Sequence, residues 1–416
     1  MKNKKIIWML LLSLILILSS CGKNNENIDR NSSLNNNIEV DNNFEYIYDN
    51  SSYYSGFNHL LSENKDGYYL NRGGLLYYIS KELEAGSILS TENYSFDDIF
   101  GDFEKMSESD AFVGANLPIY LYNNKIYTLE DDVNDDNEEI SVLYEWPLEG
   151  SSKKKINEFG SIGNSCIYND ILYFSEVSLD DSGNSIMKLK SYSINNNEEK
   201  EIYEFTDELN KGTNVFIQKM YAYKDRLYLS INSDEVGFKR YLLSIDLIGE
   251  KDILLENSFT IDEDKDNKYE CVLSTIHEDN IYLNLIKPTD DINVDDKCYV
   301  YKCDLDYSNM EFFKELNISE RLISNSKDMY IPPSDVAILS RSFDSIYPIF
   351  KELPLEVKSI DGEKAIKIED GLIKEYSQPT IIIDSIGNIL IFDSGEESLY
   401  FYKINKDTFE IKAIFE

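Results

Sequence analysis

One six-residue pattern recurs along the chain and limits what it can fold into. It reads aromatic, any residue, Asp or Asn, any residue, Ile or Leu, Tyr. Four copies are clear: Tyr122 to Tyr127, Tyr168 to Tyr173, Tyr223 to Tyr228 and His277 to Tyr282. Weaker copies keep the acid or amide and the apolar pair at Asp66 to Tyr69, Asp335 to Ile338 and Asn388 to Ile391. The last positions fall at 69, 127, 173, 228, 282, 338 and 391. A period of about 54 residues marks a repeat architecture, in which each unit must stack on its neighbours to bury its apolar faces.

Each copy reads as a hairpin. Asn and Asp suit the turn because their short side chains bond nearby backbone and tolerate positive φ. Third strands follow at Val142–Trp146, Leu189–Ile194, Tyr241–Asp246, Cys298–Cys303 and Leu399–Ile404. Fourth strands follow at Lys200–Phe205, Asp252–Leu255, Glu311–Glu315 and Phe409–Phe415. Four antiparallel strands repeated at this spacing make a β-propeller blade. The expected fold is therefore all-β, a propeller over residues 46–416 of seven four-stranded blades, with six or eight as alternatives because the first and sixth copies are degenerate. Pro332, Pro333, Pro348 and Pro354 in the sixth unit remove strand donors. Residues 91–116 read as an insertion, with a helix from Phe96 to Met106. A β-sandwich is the competing architecture, but its strands would share no motif at this period.

The N-terminus belongs to a different regime. Met1 to Lys5 carries three Lys and no acid, and Ile6 to Leu18 is apolar apart from Ser13. That run is too short to span a bilayer and has the layout of an export signal. It ends in Leu18, Ser19, Ser20 and Cys21, which resembles the lipobox of bacterial lipoproteins. The resemblance implies cleavage between Ser20 and Cys21 and diacylglyceryl transfer to the Cys21 thiol. An ordinary secretory signal or an uncleaved anchor, with Cys21 there by chance, is the alternative. Residues 1–20 are thus a signal peptide, and residues 21–45, rich in Asn and Ser, a tether too polar to order itself.

The same lipobox, the Asn-rich tether and units such as Asp66 to Glu82 and Tyr221 to Ile231 resemble the β-propeller lipoproteins of Clostridia and related Gram-positive bacteria. More distantly they resemble TolB-like and low-density-lipoprotein-receptor-type propellers. The resemblance implies fold and a lipid-anchored, extracytoplasmic location at the cell membrane. It transfers no catalytic residue.

Charge narrows the partners. Lys and Arg total 40 against 77 Asp and Glu, a net charge of −37. Loss of Lys2, Lys4 and Lys5 with the leader makes it −40. A field of that sign disfavours nucleic acid as a partner. Two His in the chain leave little room for histidine chemistry. His277 takes the place of a repeat Tyr and reads as packing rather than as a general base, and His59 receives no role. Cys166, Cys271, Cys298 and Cys303 read as buried unpaired thiols. Cys298 and Cys303, on opposite faces of one strand about 16 Å apart, cannot pair with each other. A disulfide between different blades stays open.

Acidic runs are the remaining candidates. Asp131, Asp132, Asp135 and Asp136 read as a loop, as do Asp290, Asp291, Asp295 and Asp296. Asp262, Asp264 and Asp266 form an alternating run that gathers Ca²⁺ in other contexts. An EF-hand needs Gly at position six and Glu at twelve, where this chain has Asn267 and Leu273. A solvated loop is the favoured reading, and these three are the first place for a metal, Ca²⁺ being the one weak cofactor expectation. The expected function is a binding or assembly module for a protein, peptide or wall-polymer partner. The alternatives are a glycan hydrolase or lyase with paired carboxylates at the propeller channel, or a sensory ectodomain partner of a membrane kinase or transporter.

Overall fold

The repeat turns take the backbone that their residues allow. Asn123 and Asn124 have φ of 53° and 57°, Asn169 and Asp170 48° and 63°, Glu278 and Asp279 46° and 63°. Two central residues at positive φ give the turn whose twist matches paired strands. In the computed structural model the chain divides into two units, residues 1–43 and 44–416, and every described residue lies in the second. The description covers residues 61–415 except 85, 91–102, 115–117, 136, 149–151, 180–184, 206–214, 234–238, 248–252, 257–258, 262–263, 288–296, 318–319, 321, 325–327, 332–354, 362, 364, 369–379, 394–399 and 409.

The described strands form seven antiparallel sheets, each a meander in chain order. The first holds β1 (Leu61–Glu63), β2 (Gly67–Arg72), β3 (Leu75–Ser80) and β4 (Gly86–Ile88). The second holds β5 (Ile119–Tyr122), β6 (Lys125–Val133), β7 (Glu139–Pro147) and β8 (Lys154–Phe159). The third holds β9 (Ile162–Tyr168), β10 (Ile171–Leu179), β11 (Ser185–Ser193) and β12 (Glu198–Glu204). The fourth holds β13 (Val215–Tyr223), β14 (Arg226–Ser233), β15 (Lys239–Asp246) and β16 (Ile253–Glu256). The fifth has five strands: β17 (Phe259–Ile261), β18 (Asp264–His277), β19 (Asn280–Ile286), β20 (Lys297–Asp304) and β21 (Glu311–Asn317). The sixth holds β22 (Ile323–Ser324), β23 (Met329–Ile331), β24 (Leu355–Ser359) and β25 (Ala365–Ile368). The seventh holds β26 (Thr380–Ile383), β27 (Ile389–Asp393), β28 (Tyr400–Ile404) and β29 (Ile411–Phe415).

Buried side chains cluster between consecutive sheets. In the second strand of the four clear repeats, the Ile or Leu packs against the preceding sheet and the Tyr against the following one. Ile126 joins the layer between sheets one and two, and Tyr127 the layer between two and three. Leu172 and Tyr173, Leu227 and Tyr228, and Ile281 and Tyr282 divide in the same way. A strand buried on both faces reads as a continuous apolar run, which is how these segments look in the sequence. The last layer joins Ile382, Leu390, Phe392 and Phe401 of sheet seven to Leu61, Tyr68, Leu70 and Tyr77 of sheet one. The sheets therefore close a ring, and the fold is a β-propeller.

Three expectations are corrected. The fifth sheet carries an extra strand, β17, beside its first repeat strand β18, because Asp264 in the acidic segment pairs with Ile261. The sixth hairpin turn lies between Ser324 and Met329, with Asp328 beside Met329 and Tyr330. Asp335 to Ile338 follow that hairpin in the sequence and lie outside the described residues. The helix in the insertion, α1, is Phe103–Glu108, later than expected; its apolar Met106 is buried against the layer between sheets one and seven.

Among the described residues sheets one and seven share no strand, and side chains link them across the closure. Tyr68 Oη donates to Asp384 Oδ2 at 2.8 Å, Ser385 N to Glu63 Oε1 at 2.5 Å, and Lys403 Nζ to the Lys81 carbonyl at 2.7 Å. Lys81 is paired with Glu63 and lies 4.0 Å over the Tyr68 ring. Burial lowers the Lys81 pKa to about 7, opposed by Asp384 and aided by Lys403. The unfolded chain keeps that proton to about pH 10, so unfolding takes up a proton between the two values. The Lys81 contribution to stability therefore rises from about pH 7 to about pH 10 and is missing below that window. Urea unfolding across this range should show a shallower rise for Lys81→Met than for the parent. Equal slopes would place a charge on folded Lys81 throughout.

Candidate functional site

First strands of adjacent sheets lie side by side, as β1 with β5, β5 with β9, β9 with β13, and β18 with β22, so they ring the axis. Bulges interrupt three of them: β9 between Ile162 and Ser165, β13 at Gln218 and β18 at Ser274. Each bulge turns backbone groups out of the ladder. The Ser274 carbonyl accepts from Lys219 Nζ and Tyr221 Oη, both at 3.3 Å, and the Ile217 carbonyl accepts from Asn164 Nδ2. Ser62 Oγ donates to the Ile119 carbonyl at 2.7 Å, Tyr120 shares a 2.6 Å bond with Ser165, and Thr275 shares a 2.7 Å bond with Ser324. This buried belt links sheets one to six. Its polar groups are engaged with one another, which suits scaffolding.

A second set of links runs along the turn end. Tyr122 Oη donates to Asp170 Oδ1 at 3.3 Å, and Tyr223 Oη to Asp279 Oδ1 at 2.5 Å. The first aromatic of one repeat thus reaches the turn acid of the next. Recurrence of the two residue types is visible in the sequence, but their pairing across sheets is not.

Beside the first of these links an open cleft of about 510 Å³ lies between sheets two and three. Tyr122, Asn123, Lys125 and Tyr127 come from the β5–β6 hairpin, and Glu145 from β7. Lys154, Lys155 and Ile156 come from β8, while Ile194, Asn195 and Asn197 come from the β11–β12 turn. Glu145 Oε2 accepts from Lys125 Nζ at 2.8 Å and from Tyr127 Oη at 3.2 Å. Burial, with the Glu145 charge second, raises the Tyr127 pKa, and burial with Asp170 raises that of Tyr122. Both phenols stay protonated at neutral pH and serve as hydrogen-bonding groups, not bases. Glu145 is the one carboxylate among the lining residues, whereas two-carboxylate hydrolysis needs a pair. The lining is mainly polar: phenols, amides, lysines and one carboxylate. Sequence reasoning missed it because its residues come from separated stretches.

The residues singled out in the sequence lie elsewhere. Ser20, Cys21 and Asp262 fall outside the described residues. Asp264 and Asp266 stand in β18 rather than in a solvated loop, with Asp264 opposite Ile261 and Asp266 exposed. Asp131 and Asp132 are likewise strand residues of β6, because their neighbours Leu129 and Glu130 extend its pairing with β7. Asp290, Asp291, Asp295 and Asp296 are outside the described residues. Among the described residues no group of three His, Cys, Asp or Glu is arranged to hold a metal. His277 ends β18, its ring 6.5 Å from that of Tyr282.

Cys166, Cys271, Cys298 and Cys303 are free and buried. Cys298 and Cys303 pack into different inter-sheet layers, as their strand spacing requires. Burial pushes the Cys166, Cys298 and Cys303 thiols up to about 12 and raises Cys271 too. The thiolate is the reactive form. A chromogenic disulfide reagent should therefore find these four thiols silent in the native protein and reactive in urea. Rapid native labelling at any of them would overturn this burial.

No family model and no curated protein matches the chain. Solved structures similar to it include the β-propeller domain of the Trilobed protease from Pyrococcus furiosus, at 14% identity and a TM-score of 0.45. The match covers 72% of this chain and 83% of that one. The Pyrococcus horikoshii acylaminoacyl peptidase aligns at 14% identity and a TM-score of 0.46, over 72% of this chain and 46% of that one. A post-proline cleaving enzyme from Rickettsia typhi aligns at 13% identity and a TM-score of 0.45, over 85% and 52%. The chain matches only about half the length of these last two, and the likeness is one of propeller fold.

Proposed function

We propose that this protein is a membrane-anchored, extracytoplasmic lipoprotein whose β-propeller is a binding module. The observation that carries the reading is the open cleft between sheets two and three, which offers tyrosines, amides and lysines without a paired acid and base. Propellers host many unrelated functions, so the site, not the fold, argues the role. The lipobox resemblance at Leu18 to Cys21 and the polar tether behind it support a location at the extracytoplasmic face of the cell membrane, within reach of protein, peptide or wall polymer. Its relation to clostridial β-propeller lipoproteins belongs to the same proposal.

Photo-crosslinking in intact cells tests it. Benzoylphenylalanine replaces Asn195 in the cleft or Val133 at the far end of β6, where the side chain is 59% exposed. A discrete adduct is expected from position 195 and not from position 133. No adduct at either position, or the same adducts at both, overturns the binding role of the cleft.

A further inference from the structure

Charge in the cleft runs against the rest of the molecule. In a chain of net charge −37, its lining sets Lys125, Lys154 and Lys155 against the single acid Glu145. Lys125 is held by Glu145 and Lys155 by Glu158. Lys154, exposed at the start of β8, has no ion-pair partner among the described residues. At physiological salt, charges beyond about 8 Å are screened, so the distant acids weigh less than the lysines a ligand touches.

The uncharged groups are matched to hydroxyls. Tyr192 Oη donates to Asn197 Oδ1 at 2.9 Å, which leaves the Asn197 amide nitrogen as a donor. Tyr122 and Tyr127 spend their protons on Asp170 and Glu145, so their oxygens are left to accept. The tyrosine rings add apolar surface within the same cleft. Alternating donors and acceptors, an apolar surface and cations at the rim describe a site for a polyol that carries negative charge.

We infer that the cleft between sheets two and three binds an anionic polyhydroxyl polymer, sugar or polyol units bearing phosphate or carboxylate, with Lys154 and Lys155 on the anion and Asn197 and the tyrosines on the hydroxyls. This assignment rests on the binding-module reading and names its ligand.

Calorimetric titration of the full-length mature chain uses four probes: a poly(glycerol phosphate) oligomer, an oligogalacturonate, neutral maltohexaose and inorganic polyphosphate. At least one of the first two is expected to bind about tenfold or more tightly than maltohexaose and polyphosphate, and which one binds names the charged group. Lys154→Ala with Lys155→Ala should weaken that binding about tenfold and flatten its salt dependence. Glu145→Gln should strengthen it about threefold by freeing Lys125, a change opposite in sign that loss of folding does not produce. Equal affinity for polyphosphate, binding indifferent to the lysines, or no binding by any probe overturns the inference. An adduct at position 195 alongside failed titrations would retire the ligand class and leave the binding role standing.

Discussion

Asp384→Ala is expected to destabilise the propeller by about 3–5 kcal/mol, as read from urea unfolding of the mature chain. Asp384 is wholly buried and accepts four hydrogen bonds. They come from Tyr68 Oη at 2.8 Å, Ile386 N at 3.1 Å, Asn388 N at 2.8 Å and Asn388 Nδ2 at 2.9 Å. Removal of the carboxylate strands the three buried donors on Tyr68 and Asn388, which lose their partner without gaining another, while Ile386 is exposed and its N–H can turn to water. The first of them is also one of the links that tie sheet seven to sheet one, which share no strand among the described residues. Tyr68→Phe removes that single bond to a charged acceptor and should cost about 2 kcal/mol. A loss below about 1 kcal/mol for Asp384→Ala would mean that the apolar layer around Phe392 and Phe401 closes the ring unaided.

Cys21→Ala is expected to move the protein from the membrane fraction into the soluble fraction, or to leave it with its leader uncleaved. The reason is covalent: the thiol is the only atom at that position able to form the thioether to diacylglycerol. Two or more acyl chains hold a protein on a bilayer durably where one does not. Mass spectrometry of the N-terminal peptide reads the result directly. A Cys21→Ala protein that still carries acyl chains and partitions into detergent would remove the lipobox reading, and with it the surface location.

Much of the fold was legible in the sequence because its determinants are local. The turn at Asn169 and Asp170 needs positive φ at both positions, and those residue types tolerate it. The Leu172 and Tyr173 pair alternates between two buried faces as any strand does. Where local signals fail, so did the reading. The sixth repeat's first two strands pair on either side of residues 325–328, whereas the shortened motif pointed to Asp335. The acidic run around Asp264 looked like a loop because charge is common there, yet its backbone pairs with β17.

The partners of each repeat residue lay beyond local reach. Tyr122 is about 48 positions from the Asp170 that it bonds, and Tyr68 is 316 from Asp384. No periodicity reveals which acid a tyrosine meets once sheets stack. The cleft is the clearest case, since it exists only where a hairpin near 125, the β8 start near 155 and a turn near 195 meet. By itself the sequence determined the repeat, the strand alternation and the turn backbone, because each depends on residues within a few positions of one another. Ring closure, the hydrogen-bonded belt and the cleft between sheets two and three were decided only by tertiary structure, because each is made of side chains that the chain brings together across sheets.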